Sequence, residues 1–470
     1  MEYTILIELG RNTMTFSDLN FIVRALPLFL ILYYIFPAKV RPWLLLVASL
    51  AFYCANDWKF VALLIGATAI NYGFAKLVSK KKKWALVLSI IFNAGLLTGF
   101  KVAGRLDLGV AFPLGLSFYI FKMISYQVDL YKELIKEVSF RNMSVYFAMF
   151  PQILSGPISR YSFVETNDSW TALPVEEHPS KWQRVQDVLA KIEDGLKYFV
   201  IGLFMKVMIA DHLVVLWSDI KTIGYESIST PLAWLGAYAY SMNLYFDFWG
   251  YSLMAAGLGV MLGFPFIENF IQPYAARSVS DFYRRWHATL GSWFRDYIYY
   301  PLGGSKKGKW RTVFNLTVVW LVTGLWHGMT VNFLLWAMVL LVIILVEKFV
   351  LSKWEKVFKI VGRINVLVLI PCTWVIFAIH SVRRLGTYGL RLFPVMNNGI
   401  AVNQNDILYL LPSYWPYLLM GLIFAIPFVQ TFYRKHKDNV FITLIIFVMF
   451  WISIISLANS AGNPFMYLRF

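Results

Sequence analysis

Apolar residues fill most of this chain in runs that approach the length of a membrane-spanning helix. Short polar segments separate the runs, and a bilayer core requires about 20 apolar residues per helix. The pattern predicts an all-α, polytopic integral membrane protein with about eleven transmembrane helices, some shorter runs forming re-entrant or interfacial helices. The approximate runs are 20–36, 42–55, 59–78, 84–100, 110–130, 143–158, 198–218, 231–264, 312–346, 365–381, 408–430 and 439–459.

Composition and charge agree with a multi-pass protein of the cell membrane. Of 470 residues, 59% are hydrophobic and 15% charged, well below the charged share of a soluble domain. The net charge of +17 arises in short inter-helix segments such as 79–84, 305–311 and 433–437. Such segments are typical of cytoplasmic loops beside anionic lipid, so membrane lipid is the expected partner and nucleic acid is not. Cys54 and Cys372 lie inside apolar runs and provide no disulfide framework.

We expect one membrane domain over residues 1–470, since the chain contains no linker-like stretch and no repeat of fixed period. The first thirteen residues lack a basic start and a small-residue cleavage site, so they do not resemble a signal peptide. The longest polar segment is 162–197. Its second half carries apolar residues at helical spacing, which predicts an amphipathic helix lying on the membrane.

Asp247 lies in the aromatic stretch YFDFWG inside an apolar run. A carboxylate in lipid costs roughly 2.5 kcal/mol or more, so it normally faces a partner or a water-filled cavity. Two interpretations follow. Asp247 either pins neighbouring helices as a structural hydrogen-bond acceptor or contributes directly to substrate binding.

The segment 278–300 is predicted to form a helix with an aromatic face and a face carrying a cation and an imidazole. Arg284, Arg285 and Arg295 lie within one or two turns of His287, too many charges for a span surrounded by lipid. The helix is therefore expected in the interface or along an internal cavity. Its arginines either contact lipid headgroups or bind the phosphates of an acyl donor, which guanidinium groups do in bidentate fashion.

His327 is the only ionisable group of ordinary pKa in the run from Thr312 to Val346. A straight helix of that length would exceed the ~30 Å bilayer core by more than half, so the run is expected to break near His327 and Gly328. His327 should then lie on a short helix end inside the membrane, facing protein or water. Intramembrane ionisable groups often mark a reaction or transport path, and His287 adds a second one. No third ligand occurs at metal-binding spacing around either histidine, so no metal site is predicted.

Several long motifs together resemble the membrane-bound O-acyltransferases, and more narrowly their bacterial alginate O-acetylase branch. Two positions depart from that branch: Gln152 stands where it often has His, and Trp249 where it often has Ser. Both bear on the acceptor rather than on acyl transfer. The motifs that carry the resemblance are MTFSDLNF, PLGLSFYIFKMISYQVDLY, FAMFPQILSGPISRY, YFDFWGYSLMAAGLGVMLGFPFIENFIQPY, FYRRWHATLGSWFRDYIYYPLGG and TGLWHGMTVNFLLWA.

The resemblance implies a helical fold around a central tunnel, through which an acyl group from a cytoplasmic thioester reaches an outer hydroxyl. The donor would be acetyl-CoA or an acyl carrier protein, with no bound cofactor. The acceptor would be an extracellular or periplasmic polysaccharide, served by an extracytoplasmic SGNH-type acetyltransferase partner. His327 matches the family's essential histidine and His287 its supporting one, and Asn332 falls within the matching motif.

We therefore expect an O-acyltransferase in which His327 is the general base on the acceptor hydroxyl, since an apolar cavity keeps an imidazole neutral. His287 would position substrate or share the proton. A transient acyl-enzyme, or a relay through the partner protein, is equally open. One alternative is a teichoic acid D-alanyltransferase that uses a phosphopantetheine carrier protein. Another, from a different class, is a proton-coupled transporter or flippase with a relay of His287, His327 and Asp247.

Overall fold

The computed structural model describes residues 14–154, 156–167, 170, 180–394 and 402–459, and this part of the chain contains helices and loops but no β-strand. The all-α prediction is therefore confirmed. The chain folds as two compact units. The first comprises Met1–Leu203, Gly250–Glu268 and Ile446–Arg469, and the second comprises Phe204–Trp249, Asn269–Ile445 and Phe470.

Seven helices in the described residues are long and apolar enough to cross a membrane, fewer than the roughly eleven that the apolar runs predicted. Two of the runs form shorter helices. The run 110–130 begins with a turn at Gly115, whose φ of 66° delays the helix, and the run 143–158 is divided at Met149, whose backbone is not helical. The seven candidate spans are Arg41–Val78, Lys83–Arg105, Lys181–Ile223, Val331–Lys353, Glu355–Ala378, Asp406–Ala425 and Val440–Asn459.

The first unit contains the N-terminal helices and the closing part of two later ones. Its helices are Phe21–Ala25, Leu26–Ile35, Arg41–Asp57, Trp58–Phe60, Val61–Val78, Lys83–Arg105, Leu116–Tyr131, Phe140–Ala148, Phe150–Ile153, Ser162–Glu165 and Lys181–Phe204, together with the C-terminal parts of Thr230–Met261 and Val440–Asn459.

Two helices of the first unit touch at glycines. A Cβ atom on Gly195 would lie 2.5 Å from the carbonyl oxygen of Gly257, and one on Gly257 would lie 2.5 Å from that of Gly195. Gly202 and Gly250 make a similar approach two turns away. In membranes, where lipid is as apolar as leucine, small residues stabilise helix pairs by letting backbones approach. These contacts hold the C-terminal part of helix Thr230–Met261 against helix Lys181–Phe204 within the first unit.

The helix Lys181–Phe204 contains the predicted amphipathic segment, whose preceding residues 168, 169 and 171–179 lie outside the described part of the chain. Apolar side chains remain exposed along it, including Val185 at 46% and Leu189 at 56%. An exposed apolar stripe beside charged residues suits a membrane surface. Its location on the membrane remains a prediction.

The second unit carries both histidines. Its helices are Met205–Ala210, Asp211–Ile223, the N-terminal part of Thr230–Met261, Pro273–Ala275, Val279–Arg285, Ala288–Phe294, Arg295–Tyr299, Lys309–His327, Val331–Phe349, Leu351–Lys353, Glu355–Ile364, Asn365–Leu369, Ile370–Ala378, Val382–Leu392, Asp406–Ala425 and Pro427–His436.

Candidate functional site

The long apolar run breaks where its length predicted. One helix ends at His327 and the next begins at Val331, with Gly328 extended between them. Each helix has 19 residues, so His327 ends a helix of nearly membrane length and not a short one. The hairpin is tight because Gly324 lies against Ala337: a Cβ on this glycine would be 2.9 Å from the alanine Cβ. Sequence periodicity could not reveal this pairing, since it depends on the neighbouring helix.

Four aromatic rings surround His327, which is 7% exposed. The ring centroids of Trp326, Trp336, Phe377 and Phe333 lie 4.6, 5.1, 5.2 and 6.2 Å from the imidazole. The imidazole therefore faces protein, as its cost in lipid demanded. We call these five residues the His327 cluster.

His287 interrupts the segment that was predicted to be one helix, and that prediction was wrong. The chain forms helix Val279–Arg285, then Trp286 in an extended conformation and His287 in a left-handed one at φ 47° and ψ 50°, before helix Ala288–Phe294. A backbone hydrogen bond from Ala288 N to Asn269 O (2.9 Å) holds the break. Left-handed backbone in a non-glycine residue is costly and often occurs at functional sites.

Asn269, absent from the sequence predictions, determines the protonation of His287. Its Oδ1 accepts hydrogen bonds from the backbone N and the Oγ1 of Thr289, at 3.3 and 2.8 Å, so this atom is the amide oxygen. His287 Nδ1 lies 3.1 Å from the same oxygen and must donate to it. The Nε2 atom is left unprotonated, buried and without a hydrogen-bond partner among the described residues.

Burial lowers the pKa of His287 to about 3, because desolvation disfavours the imidazolium. The ring is therefore neutral near pH 7.

Trp326 lies close to both histidines. Its indole centroid is 6.5 Å from the ring of His287 and 4.6 Å from that of His327. The structure thus brings together two histidines forty residues apart in sequence.

Asp247 is buried and bound to a lysine. Its Oδ1 lies 3.1 Å from Lys206 Nζ, and the same ammonium group contacts Asp211. Lys206 is 1% exposed and lies in a π-helical turn, a rare local structure that often occurs at functional sites. The ion pair favours the structural interpretation of Asp247. Lys206 was missed, although a lysine inside the apolar run 198–218 was a visible signal.

The three arginines lie near acidic residues. Arg284 is 76% exposed at its side chain and 3.6 Å from Asp281, which Arg285 also contacts at 3.1 Å. Arg295 is 54% exposed and bonds to Asp296 at 3.0 Å. Their contacts are with these carboxylates and nearby backbone or tyrosine groups, and none is part of the His327 cluster.

A buried carboxylate anchors the helix that leads to His287. Glu347 is 1% exposed and accepts hydrogen bonds from Val279 N at 2.9 Å and Ser280 N at 3.1 Å, the first free N–H groups of helix Val279–Arg285. Asn365 Nδ2 also donates to it at 3.3 Å. A lone acidic residue at the end of the run 312–346 was the available signal for this role.

Asn332, predicted from its motif, is fully buried beside the His327 turn. Its Oδ1 accepts from Thr330 Oγ1 at 2.6 Å, and its Nδ2 donates to Phe377 O at 3.0 Å. His380 Nδ1 lies 3.3 Å from the same Oδ1. This third histidine, at the end of the run 365–381, was not among the predicted residues. Within the described ranges, no group of three or more potential metal ligands occurs.

Fold and site thus define an all-α, multi-pass membrane protein in which two buried histidines lie beside the same indole ring. The chain belongs to the membrane-bound O-acyltransferase (MBOAT) family, whose model matches residues 20–385. It is therefore an O-acyltransferase, and the transporter alternative is set aside.

Three relatives illustrate the range of the family. The chain is 34% identical over 400 residues to a probable alginate O-acetylase of Pseudomonas syringae, covering 79% of this chain and 74% of the relative. A peptidoglycan O-acetyltransferase of Helicobacter pylori is 30% identical over 376 residues, covering 69% and 68%. A teichoic acid D-alanyltransferase of Bacillus subtilis is 28% identical over 256 residues, covering 52% and 61%. The resemblance to the alginate branch is confirmed.

Proposed function

We propose that this protein transfers an acetyl group from a cytoplasmic thioester to a hydroxyl of an extracytoplasmic polysaccharide. The reaction breaks the acyl C–S bond and forms an acyl C–O bond. The hydroxyl proton passes to the thiolate that leaves, so protons balance without an external acid. The protein would act in the cytoplasmic membrane, the inner membrane of a two-membrane cell, with no bound cofactor.

The observation that carries the proposal is the burial of two neighbouring imidazoles around one indole. His327 is the general base that takes the hydroxyl proton, because the aromatic rings around it shield the imidazole from bulk water. His287, neutral and with Nε2 unprotonated, accepts a hydrogen bond from substrate or shares the proton. The hydrogen bond to Asn269 holds the ring of His287, and aromatic packing holds the ring of His327, before substrate arrives.

Trp336 supplies the electrostatic partner that acyl transfer needs. Its ring lies 5.1 Å from that of His327, and its buried Nε1–H has no acceptor among the described residues. A buried N–H without a partner costs about 1–3 kcal/mol. An oxyanion at the reacting carbonyl would satisfy this donor, and such donors stabilise the transition state of acyl transfer.

The donor reaches the site along the helix Val279–Arg285. Glu347, which caps this helix, lies near the lysine-bearing end of helix Val331–Phe349, and the other end of the capped helix leads to His287. Lys348 lies in the last turn of helix Val331–Phe349 and Lys353 follows in the next turn, which is typical of a helix end beside a cytoplasmic loop. The exposed guanidinium groups of Arg284 and Arg295, with Arg285, would bind the phosphates of acetyl-CoA or of a carrier protein's phosphopantetheine. In this assignment Asp247 supports the site through its ion pair with Lys206. Asn332 holds the turn after His327 through its hydrogen bonds with Thr330 and Phe377.

Direct transfer, a transient acyl-enzyme, and relay through an SGNH-type partner differ in what accepts the acyl group from the donor. The similarity to alginate and peptidoglycan O-acetylating relatives supports a polysaccharide acceptor. The D-alanyltransferase relative supports the second candidate, D-alanyl transfer from a charged carrier protein. Membranes containing the protein should label polymer from acetyl-CoA in the first case and from the charged carrier protein in the second.

The test of the base uses His327→Gln and His327→Ala in membranes supplied with labelled acetyl-CoA. We expect a loss of polymer acetylation of at least a hundredfold, since general base catalysis contributes about 10²–10⁴-fold. His436→Gln is the matched control, because this half-buried histidine lies in the separate helix Pro427–His436. Full acetylation by a folded His327 variant would disprove the assignment.

A further inference from the structure

A third histidine lies at the edge of the His327 cluster, on the surface of the protein. His380 occupies the short connection between helices Ile370–Ala378 and Val382–Leu392 and is exposed. Its ring lies 5.8 Å from that of Phe333, a member of the cluster. A molecule approaching the cluster from this side would therefore meet His380.

The hydrogen bonds of Asn332 determine which ring nitrogen of His380 carries the proton. Asn332 Nδ2 donates to Phe377 O, so its Oδ1 is the acceptor that faces both Thr330 Oγ1 and His380 Nδ1. The neutral imidazole must therefore carry its proton on Nδ1. Its Nε2 is an acceptor, and the described residues offer it no donor. A hydroxyl group is the natural donor for such an atom.

The helix lengths place His380 opposite the basic loops. The consecutive candidate spans Val331–Lys353 and Glu355–Ala378 begin and end on the same side, away from the lysines that join them. Lys309 Nζ lies 5.1 Å from the ring centroid of Phe349, which places the basic loop 305–311 at the lysine end as well. Since cytoplasmic loops carry the excess of lysine and arginine, His380 lies on the extracytoplasmic side.

Two arginines follow His380 on the extracytoplasmic side, although lysine and arginine are usually in excess on the cytoplasmic side. Arg383 and Arg384 are exposed in the first turn of helix Val382–Leu392. Arg384 lies 4.7 Å above the ring of Tyr225, while the side chain of Arg383 has no partner among the described residues. Arginine at an outer loop suits an anionic ligand, and the thioester donor arrives from the other side.

We infer that His380, Arg383 and Arg384 form the surface that receives the acyl acceptor, and that this acceptor is a carboxylate-bearing polysaccharide. The arginines bind its carboxylates, and His380 Nε2 accepts a hydrogen bond from a hydroxyl beside the His327 cluster. The inference rests on the proposed function for the identity of the bound chain as acceptor.

The test measures binding separately from acyl transfer. Protein in phosphatidylcholine nanodiscs is titrated with alginate oligosaccharides, which carry carboxylates, and with neutral dextran oligosaccharides, at low and high salt. We expect Arg383→Ala with Arg384→Ala to weaken alginate binding about tenfold, to reduce its salt dependence and to leave dextran binding unchanged. The matched control is Lys353→Ala with Lys356→Ala, which removes the same charge from exposed positions at the opposite end and should bind as wild type.

His380 is tested with two variants. His380→Asn keeps a donor for Asn332 but lacks Nε2, whereas His380→Ala lacks both. Weaker binding of both sugars to both variants supports the role of Nε2, and normal binding to His380→Asn would assign the histidine a purely structural role.

Equal alginate binding by wild type and the double arginine variant, or no binding by wild type, overturns the inference. So does an arginine effect confined to nanodiscs that contain phosphatidylglycerol, because the arginines would then contact lipid headgroups. If binding follows the expectation while labelled acetyl-CoA acetylates no polymer, the proposed function fails alone. If acetylation proceeds and binding ignores the arginines, the inference fails alone.

Discussion

Asn269 Oδ1 accepts a hydrogen bond from His287 Nδ1 at 3.1 Å, so the proton of the neutral imidazole stays on Nδ1 and Nε2 is the unprotonated, basic nitrogen. The same oxygen accepts two hydrogen bonds from Thr289, which prevents the amide from turning around. One carbonyl oxygen therefore sets the orientation and the tautomer of a ring whose backbone is already left-handed.

Asn269→Ala should lower the rate of acetyl transfer about 10- to 100-fold, because three donors lose their acceptor and the ring can rotate. Asn269→Asp keeps the acceptor and adds a negative charge, which raises the pKa of His287. The acid limb of its pH–rate profile should therefore move to higher pH. A profile unchanged in Asn269→Asp would show that His287 does not titrate in the reaction.

Acid should destabilise the protein through His287. Its pKa is about 3 when folded and near 6.5 when unfolded, so the unfolded chain binds more protons between these values. Stability from the neutral ring is complete above about pH 6.5 and is lost as pH falls towards 3. Thermal unfolding in detergent between pH 7 and pH 5 should therefore show a larger fall for wild type than for His287→Asn. Asparagine tolerates the left-handed backbone and does not titrate. Equal falls would refute the assignment.

Trp336→Phe separates catalysis from packing. Phenylalanine keeps an aromatic ring beside His327 and removes the buried Nε1–H that has no acceptor in the described residues. We expect kcat to fall about 10²–10³-fold, the effect of losing one oxyanion donor, with little change in the thermal midpoint. Trp320→Phe is the control, since this indole lies 6.0 Å from Trp336 and belongs to helix Lys309–His327, about two turns before His327. A large drop in stability with a normal rate per folded molecule would argue for packing alone.

Lys206→Met should destabilise the protein by about 3–5 kcal/mol, because it leaves the buried carboxylate of Asp247 without its ammonium partner. Asp247→Asn, which removes one of the two acidic partners of Lys206, should be milder. Detergent unfolding measures both. If Asp247→Asn instead raises KM for the donor or acceptor at unchanged stability, Asp247 binds substrate and the structural interpretation is wrong.

Gly257→Ala should lower the thermal midpoint, since its Cβ would lie 2.5 Å from the carbonyl oxygen of Gly195 and the two helices must separate. Gly73→Ala is the matched control. It also lies inside a helix, but its Cβ would meet nothing within 4 Å, so stability should stay level or rise slightly. Equal midpoints for the two variants would contradict the close contact.

The sequence by itself determined the fold class and the break after His327, and it predicted both histidines as site residues. Those features depend on the cost of polar groups in lipid and on the fixed rise of a helix, which act locally and leave a mark in the apolar pattern. A mostly apolar run of thirty-five residues cannot cross a bilayer as one straight helix, and the single imidazole inside it must face protein or water.

Only the tertiary structure decided which partners those residues have. The predicted helix 278–300 breaks at His287 because Asn269, eighteen residues away, supplies hydrogen bonds that outweigh helix continuity. Three other contacts also join segments that are distant in sequence. Lys206 pairs with Asp247, Glu347 accepts from the start of helix Val279–Arg285, and His380 lies beside Asn332. Hydropathy records how costly a buried polar group is, but the group that offsets the cost can lie anywhere in the chain, and only folding brings the two together.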